Sequence, residues 1–354
     1  MPTFVINGVR LAGIAACVPG ERSPVQGGAG PAPPELTKVI ANTGVRARHL
    51  APSNVCTSDL CATAAERILA RLGWEKSSID LLIFVTQTPD YVLPATACAL
   101  HGRLGLAKSC AAFDVNLGCS GFVYGLSIVA AHIQAGAATR ALLLVGDTIS
   151  KVVSPEDRSV AYLFGDAGTA TAIERKSGAA PIVFCNGSDG QGSEHLQIPA
   201  GMFRTRSSDA TRVTRPRESG NLRSEEQLYM NGAEIFNFTI REVPVLVSGV
   251  LKAAGWREEE VDAFVLHQAN RFMLDYLSKR MKLPPERVVL ALEDFGNTSS
   301  ASIPLAICDR LHERLQQSPA KLLLAGFGVG FSWSAAAVPF DCPVIEPVIN
   351  SNLA

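Results

Sequence analysis

The chain reads as an α/β protein of two similar halves, each a layered arrangement of buried strands and helices. Three observations predict this. Gly73-Trp74-x4-Ile79-Asp80, followed by the apolar run Leu81–Val85, returns as Gly255-Trp256-x4-Val261-Asp262 followed by Ala263–Leu266, at an offset of 182 residues. Ala141-Leu-Leu-Leu-Val-Gly-Asp147 is echoed at nearly the same offset by Leu322-Leu-Leu-Ala-Gly-Phe327. Each of these runs precedes a small-residue strand, at 168–173 and 331–339. Buried strands alternate with helical stretches throughout, and such alternation calls for sheets layered with helices. A repeat this long is no solenoid. It divides the chain into residues 1–175 and 176–354.

Taken in order, residues 3–17 alternate enough to form one or two strands. Residues 21–36 (ERSPVQGGAGPAPPEL) are rich in Gly and Pro and read as a loop. Residues 57–72 form a helix, with Ser58 as its cap and Leu60, Ala64, Ala65, Ile68, Leu69 and Leu72 as its stripe. Leu81–Val85 is a buried strand. Ala111–Val115 is another, and it runs through a Gly-containing turn to Cys119. A helix apolar nearly all round follows and stops at Gly136, so it is a buried helix. Its counterpart in the repeat is 298–314 (TSSASIPLAICDRLHER), which sets Cys119 against the neighbourhood of Asn297 and Thr298. If the halves pack about a pseudo-two-fold axis, those two helix starts face one another. Residues 201–226 hold Arg204, Arg206, Arg212, Arg215, Arg217 and Arg223. They read as a solvated loop, with a lid or a docking surface for an anionic partner as the alternative.

Composition excludes several classes. The 354 residues are 47% hydrophobic and 18% charged with net charge −1, which is enzyme-like and gives nucleic acid no basic field to bind. There is no signal-peptide pattern and no run of 18 apolar residues, so no membrane span is expected. The nine cysteines are scattered, without a C-x-x-C pair. That fits a reducing cytoplasm and speaks against a disulfide framework or a zinc site.

Cys119 is the first chemical candidate. Unpaired N–H groups at a helix start favour a thiolate and lower a thiol pKa. From position alone it is either a nucleophile or one more inert buried cysteine. His267 ends the strand of the second half, in Val265-Leu-His267-Gln-Ala-Asn270. His49, His101, His132, His195 and His312 read as structural or surface residues. Asn297 lies in the turn Phe295-Gly-Asn-Thr-Ser-Ser-Ala-Ser302 that opens a helix. Together the three have a chemical logic. A cysteine takes an acyl group from a thioester. Neutral N–H donors on His267 Nε2 and Asn297 Nδ2 stabilise the enolate left when a malonyl thioester loses CO2. That carbon then attacks the acyl-cysteine, and no metal or redox cofactor is called for.

At these residues the chain resembles the β-ketoacyl-[acyl-carrier-protein] synthase III family, of the thiolase-like superfamily. The likeness spans most of the chain. It includes Thr43-Gly44-Val45-Arg46-x-Arg48-His49, Thr88-Pro89-Asp90-Tyr91-x-x-Pro94, Leu163-Phe-Gly-Asp-Ala-Gly168 and Gly326-Phe-Gly-Val-Gly-Phe-Ser-Trp333, besides the Cys119, His267 and Asn297 segments. The resemblance implies a thiolase-like fold of two pseudo-two-fold related αβαβα-type halves, assembled as a homodimer. It also implies decarboxylative condensation of an acyl thioester with a malonyl thioester. Cys119 would be acylated, and His267 and Asn297 would support condensation. Gly328, in the glycine-rich turn, and Cys119 would supply oxyanion N–H groups. Arg158, Asn270 and Arg271 would meet the pantetheine, nucleotide or carrier protein, and Leu93 would reach the acyl pocket of a neighbouring subunit. The substrates ride on the phosphopantetheine of CoA or of an acyl carrier protein, and no other cofactor is implied.

This chain departs from the housekeeping members where they carry a Trp and an Arg before the Thr-Gly-Val-Arg segment. Lys38 and Asn42 stand there, and Asn116-Leu117-Gly118 is a bulkier turn than usual. Both point away from acetyl-CoA as primer and toward a specialised fatty-acid or secondary-metabolite pathway. The alternative is an acyltransferase that moves the acyl group from Cys119 to an alcohol or amine without condensation. A non-catalytic partner subunit would be expected to lose Cys119 or His267, and both are present.

Overall fold

The computed structural model describes residues 1–25 and 34–353. Its main strands are β1 (Thr3–Ile6), β2 (Val9–Pro19), β3 (Leu81–Val85), β4 (Ala111–Val115), β5 (Arg140–Asp147), β6 (Ala167–Arg175), β7 (Ile182–Ser188), β8 (Ala263–Leu266), β9 (Ala320–Gly328), β10 (Ser332–Phe340), β11 (Val344–Ile345) and β12 (Ile349–Ser351). The helices that pack on them are α1 (Pro34–Thr43), α2 (Thr57–Leu72), α3 (Thr96–Leu104), α4 (Gly121–Ala135), α5 (Gly232–Ala254), α6 (Arg271–Met281) and α7 (Ser302–Arg310).

Two sheets carry the same order. One runs β2-β6-β5-β3, with β4 beyond, and the other runs β7-β10-β9-β8. In each, the first two pairings are antiparallel and the third is parallel. The chain ends cross over. β1 pairs with β7 in the second sheet, while β11 and β12 pair with β2 in the first.

The continuous apolar strands follow from burial on both faces. Side chains alternate across a strand. Leu81, Ile83 and Val85 therefore face a core shared with α4 and α7, and Leu82 and Phe84 face α2 and α3. In the second sheet Val265, Leu322 and Leu324 join that shared core, and Phe264, Leu266 and Leu323 face α5 and α6. The result is five layers, with α4 and α7 sandwiched between the sheets. That is why α4 is apolar all round. Its stop at Gly136 is left-handed, with φ 89°.

Some local expectations change. The cap of α2 is Cys56, whose N–H donates to Asp59 Oδ2 at 2.6 Å, and not Ser58. Ser58 lies inside the helix and donates its hydroxyl to Asp90 Oδ2 at 2.6 Å. In the stretch read as a loop over 21–36, Arg22–Pro24 is a short strand against Ala47–His49, and α1 begins at residue 34. The remainder of that stretch, 26–33, lies outside the described residues.

The segment 201–226 is exposed over most of its length, as a solvated loop is, and is anchored at a few points. Ser208 caps the short helix Asp209–Arg212, and Arg215–Pro216 pairs with Leu222–Arg223. Arg223 is 8% exposed, bonds the fully buried Asp157 at 3.1 Å and lies over the Tyr229 ring. Arginine stays inside here because its charge is paired and its plane is stacked.

Candidate active site

β4 leads through Asn116–Gly118 to Cys119, two residues before the first turn of α4. The turn at the end of β9 closes over the sulfur. A Cβ on Gly328 would fall 2.8 Å from Cys119 Cβ and 2.9 Å from its Sγ, so only glycine permits this approach. The Val329 N–H and the Ser299 hydroxyl lie near enough to the Cys119 sulfur to favour its thiolate. Even so, burial pushes the thiol up to about 11, the Val329 N–H opposing this and the nearby Asp147 carboxylate adding to it. The sequence expectation of a lowered thiol pKa thus fails. Desolvation of the thiolate outweighs the donors, and the resting residue is a thiol.

His267 follows directly on β8 and is 2% exposed. Its Nδ1 lies 2.7 Å from Ser302 Oγ, and Phe327 packs on it edge-to-face at 5.7 Å. The Gln268 N–H donates to the same Ser302 oxygen at 3.4 Å. With that N–H on its oxygen, the Ser302 hydroxyl can donate its proton to Nδ1, a pairing in which Nε2 carries the ring proton as a donor. Burial lowers the His267 pKa from 6.5 to about 3, so the ring is neutral at physiological pH.

The linkage has a definite sign. The unfolded chain binds this proton below pH 6.5 and the folded chain does not until about pH 3. The stability held by the neutral ring is complete above pH 6.5 and is lost as pH falls toward 3. The stability difference between wild type and His267→Gln therefore shifts against wild type by about 1.4 kcal/mol per pH unit on acidification through that window. Urea unfolding at a series of pH values measures it. A pH-independent difference would contradict a buried neutral imidazole.

Asn297 is placed by both halves. Its N–H donates to Leu163 O at 2.9 Å, and the Gly165 N–H donates to Asn297 O at 3.1 Å. A Cβ on the preceding Gly296, at φ 66°, would strike Leu163 O at 2.6 Å, which explains a glycine there. The side-chain oxygen accepts the Ser299 N–H at 2.9 Å. That bond orients the amide so that Nδ2 is the free end. Nδ2 makes one long bond, 3.4 Å, to Ala269 O.

Cys119, His267 and Asn297 line one narrow cavity with Phe327 and Gly328. A second cavity, about 710 Å³, opens from the same Cys119 and runs past Ile149, Val152, Leu196, Ile198 and Leu228. Gly201, Met202 and Glu226 of the arginine-rich segment form part of its wall.

The other predicted residues scatter. Asn270 lines the narrow cavity, while its oxygen caps α6 by accepting the Met273 N–H at 2.8 Å. Arg271 pairs with Asp275 and lines a separate surface pocket with Gly44 and Arg46. Arg158 is exposed, its N–H donates to Asn221 Oδ1, and it lines neither cavity at Cys119. Leu93 is 78% exposed. Ser299 and Ser302 fall within the helix-opening turn and Asp147 at a strand end, but the sequence gives none of them a role, because their partners lie far away in the chain. Among the described residues no cluster of three or more His, Cys, Asp or Glu side chains is placed to hold a metal ion. No helix among them is long and apolar enough to cross a membrane.

Five layers with a cysteine at the mouth of the central helix define an acyltransferase of thiolase-like fold. Residues 113–190 match the family model for 3-oxoacyl-[acyl-carrier-protein] synthase III, and residues 251–340 match the model of its C-terminal part. The chain is 35% identical over 301 residues to the β-ketoacyl-[acyl-carrier-protein] synthase III of Clostridium perfringens, covering 85% of this chain and 89% of that protein. Among solved structures, the 3-oxoacyl-(acyl-carrier protein) synthase of Burkholderia xenovorans LB400 superposes with a TM-score of 0.92 at 44% identity, over 99% of both chains. The synthase III of Thermus thermophilus gives 0.80 at 31% identity, over 93% of this chain and 98% of that one. The chain belongs to the β-ketoacyl-[acyl-carrier-protein] synthase III family. Its reaction is the decarboxylative condensation that initiates fatty acid synthesis.

Proposed function

We propose that the condensation runs through Cys119, with His267 and Asn297 as the enolate donors. The observation that carries this is the convergence of the three side chains on one narrow cavity. In the first step the Cys119 sulfur attacks the donor thioester, and the thiol proton ends on the departing thiol. The N–H of Gly328 and that of Cys119 itself are assigned to the oxyanion. In the second step the malonyl thioester loses CO2, and its enolate oxygen accepts from His267 Nε2 and Asn297 Nδ2. The enolate carbon bonds to the acyl carbon, the sulfur leaves as a thiolate, and Cys119 takes up one proton from solvent. The neutral His267 suits this role because a donor to an enolate needs no net charge.

The acyl group is larger than acetyl. A cleft of about 710 Å³ leads from the nucleophile, far more room than a two-carbon acyl group fills. Its wall is largely apolar, as an alkyl chain requires. Such a substrate belongs with a specialised fatty-acid or secondary-metabolite pathway. The donor arrives on the pantetheine arm of CoA or of a carrier protein, with Asn270 at the mouth and Arg158 and Arg271 outside it. The chain acts as a homodimer. Tyr91, Val92 and Leu93 are 60%, 62% and 78% exposed in a row, an apolar strip that a second copy would cover, placing Leu93 against the neighbour's acyl cavity.

The test is a series of saturated acyl-CoAs and acyl-carrier-proteins of increasing length, each with malonyl-carrier-protein, with products read by intact mass. Each methylene buried contributes about 0.8 kcal/mol, so kcat/KM is expected to rise about fourfold per carbon until the chain meets the wall. Acetyl as the best donor would refute the larger acyl group. An acyl group parked on Cys119 with no extended product would refute the assigned condensation roles.

A further inference from the structure

Asp147 is a buried acid that the steps above do not use. It ends β5 and is fully inaccessible. Its carboxylate is surrounded by donors from both halves. Oδ1 accepts the Gln87 N–H at 2.7 Å and the hydroxyls of Thr86 at 3.1 Å and Thr88 at 3.4 Å. Oδ2 accepts the Ser300 hydroxyl at 2.6 Å and its N–H at 3.2 Å. The first three donors follow β3, whose neighbour β4 carries the chain to Cys119, and the Thr86 N–H itself bonds Val115 O of β4. The last two belong to the turn of Asn297. A buried carboxylate with this many donors is a clamp, because removing one partner leaves the others unpaired.

A second, independent feature lies inside the clamped turn. Ser299 is held at φ 50°, a left-handed conformation that a serine seldom adopts. It sits between two fixed points, its own N–H on Asn297 Oδ1 and the following Ser300 on Asp147. Strain of this kind persists where the surroundings over-determine it, and it collects at functional sites. The Ser299 hydroxyl neighbours both the Cys119 sulfur and the Asp147 carboxyl.

We infer that Asp147 is a positioning residue for the condensation step, its carboxylate fixing the Asn297–Ser300 turn against the sheet that carries Cys119. The inference rests on the enolate role proposed for Asn297. It separates the two half-reactions. Acyl transfer to Cys119 does not need Asn297, whereas decarboxylation does. Burial raises the pKa of Asp147 while its Ser300 and Gln87 donors hold it down, and the charge it carries works against the Cys119 thiolate, so removing that charge does not slow acylation through the sulfur.

The variant is Asp147→Asn, which keeps the shape but sets an NH2 against N–H and O–H donors. Two rates are measured. One is acylation of Cys119 by acyl-CoA, followed by intact mass in rapid-quench samples. The other is β-ketoacyl product formation from pre-acylated enzyme and malonyl-carrier-protein. Acylation is expected to equal or exceed that of wild type. The second rate is expected to fall roughly ten- to a hundred-fold, the scale of a displaced catalytic donor. Parallel losses in both rates, or no loss in either, overturn the inference. If Asp147→Asn does not fold, Ser300→Ala decides the matter, since it removes one side-chain donor and leaves the carboxylate in place. It should slow only the second rate, and an unchanged or parallel response counts against the clamp. Wild-type enzyme that never extends its acyl group would instead refute the underlying condensation roles.

Discussion

Cys119→Ala removes the β-ketoacyl product, a fall of at least about 10³-fold, because without the sulfur there is no covalent acyl intermediate to attack. No neighbour substitutes for it. Cys56 lines the large cavity but does not share the narrow one with His267 and Asn297. An acyl group placed on Cys56 would not meet the enolate those two residues hold. The enolate donors survive the substitution, so malonyl thioester is still decarboxylated, and the enolate is protonated instead of extended. Two readouts check this. Intact mass finds no acyl adduct on the variant protein, and chromatography finds acetyl thioester where wild type gives the extended product. An acyl adduct or extended product from Cys119→Ala would transfer the nucleophile role elsewhere.

The layers of the fold were legible because burial writes itself into the strands. Leu81–Val85 and Leu322–Leu324 are continuous apolar runs since each lies between two helical layers, and the repeat ties them together. The closeness of Cys119 and Asn297 followed from the same repeat, as both open helices of the central layer. The crossing of β1 into the second sheet was not legible, because Thr3–Ile6 is apolar in a way that suits either sheet edge. The cap of α2 was misplaced because serine is the commoner cap and cysteine a rare one, and only the bond from the Cys56 N–H to Asp59 reveals it. The Cys119 thiol shifts opposite to the sequence expectation. Helix-start N–H groups are visible in a sequence, whereas the degree of burial that overrides them is a property of the closed site. Ser302, whose hydroxyl meets His267 Nδ1, and Asp147, whose carboxyl accepts both the hydroxyl and the N–H of Ser300, act across 35 and 153 residues. No local pattern marks such partners.

Asn297→Ala and His267→Ala each leave Cys119 able to take an acyl group but slow condensation by about 10²- to 10³-fold, the usual cost of losing one preorganised donor. The acyl-enzyme then accumulates, and intact mass shows it during turnover where wild type shows little. The pair are expected to act as a unit, so the double variant loses less than the product of the single losses. Asn297→Asp is the sharper probe. Its Oδ1 equivalent still accepts the Ser299 N–H, so the turn is retained. The other oxygen, however, replaces the Nδ2 donor with a negative charge facing the forming enolate. Loss of attraction is compounded by repulsion in a site from which water is largely excluded, so the fall for Asn297→Asp equals or exceeds that for Asn297→Ala. At low pH the aspartate protonates and becomes a donor, and condensation by this variant, unlike that of Asn297→Ala, recovers as pH falls. Steady-state rates of both variants from pH 8 down to pH 5 make the comparison. An Asn297→Asp profile that runs parallel to Asn297→Ala would mean that this side chain does not face the enolate, and would leave His267 as the sole donor.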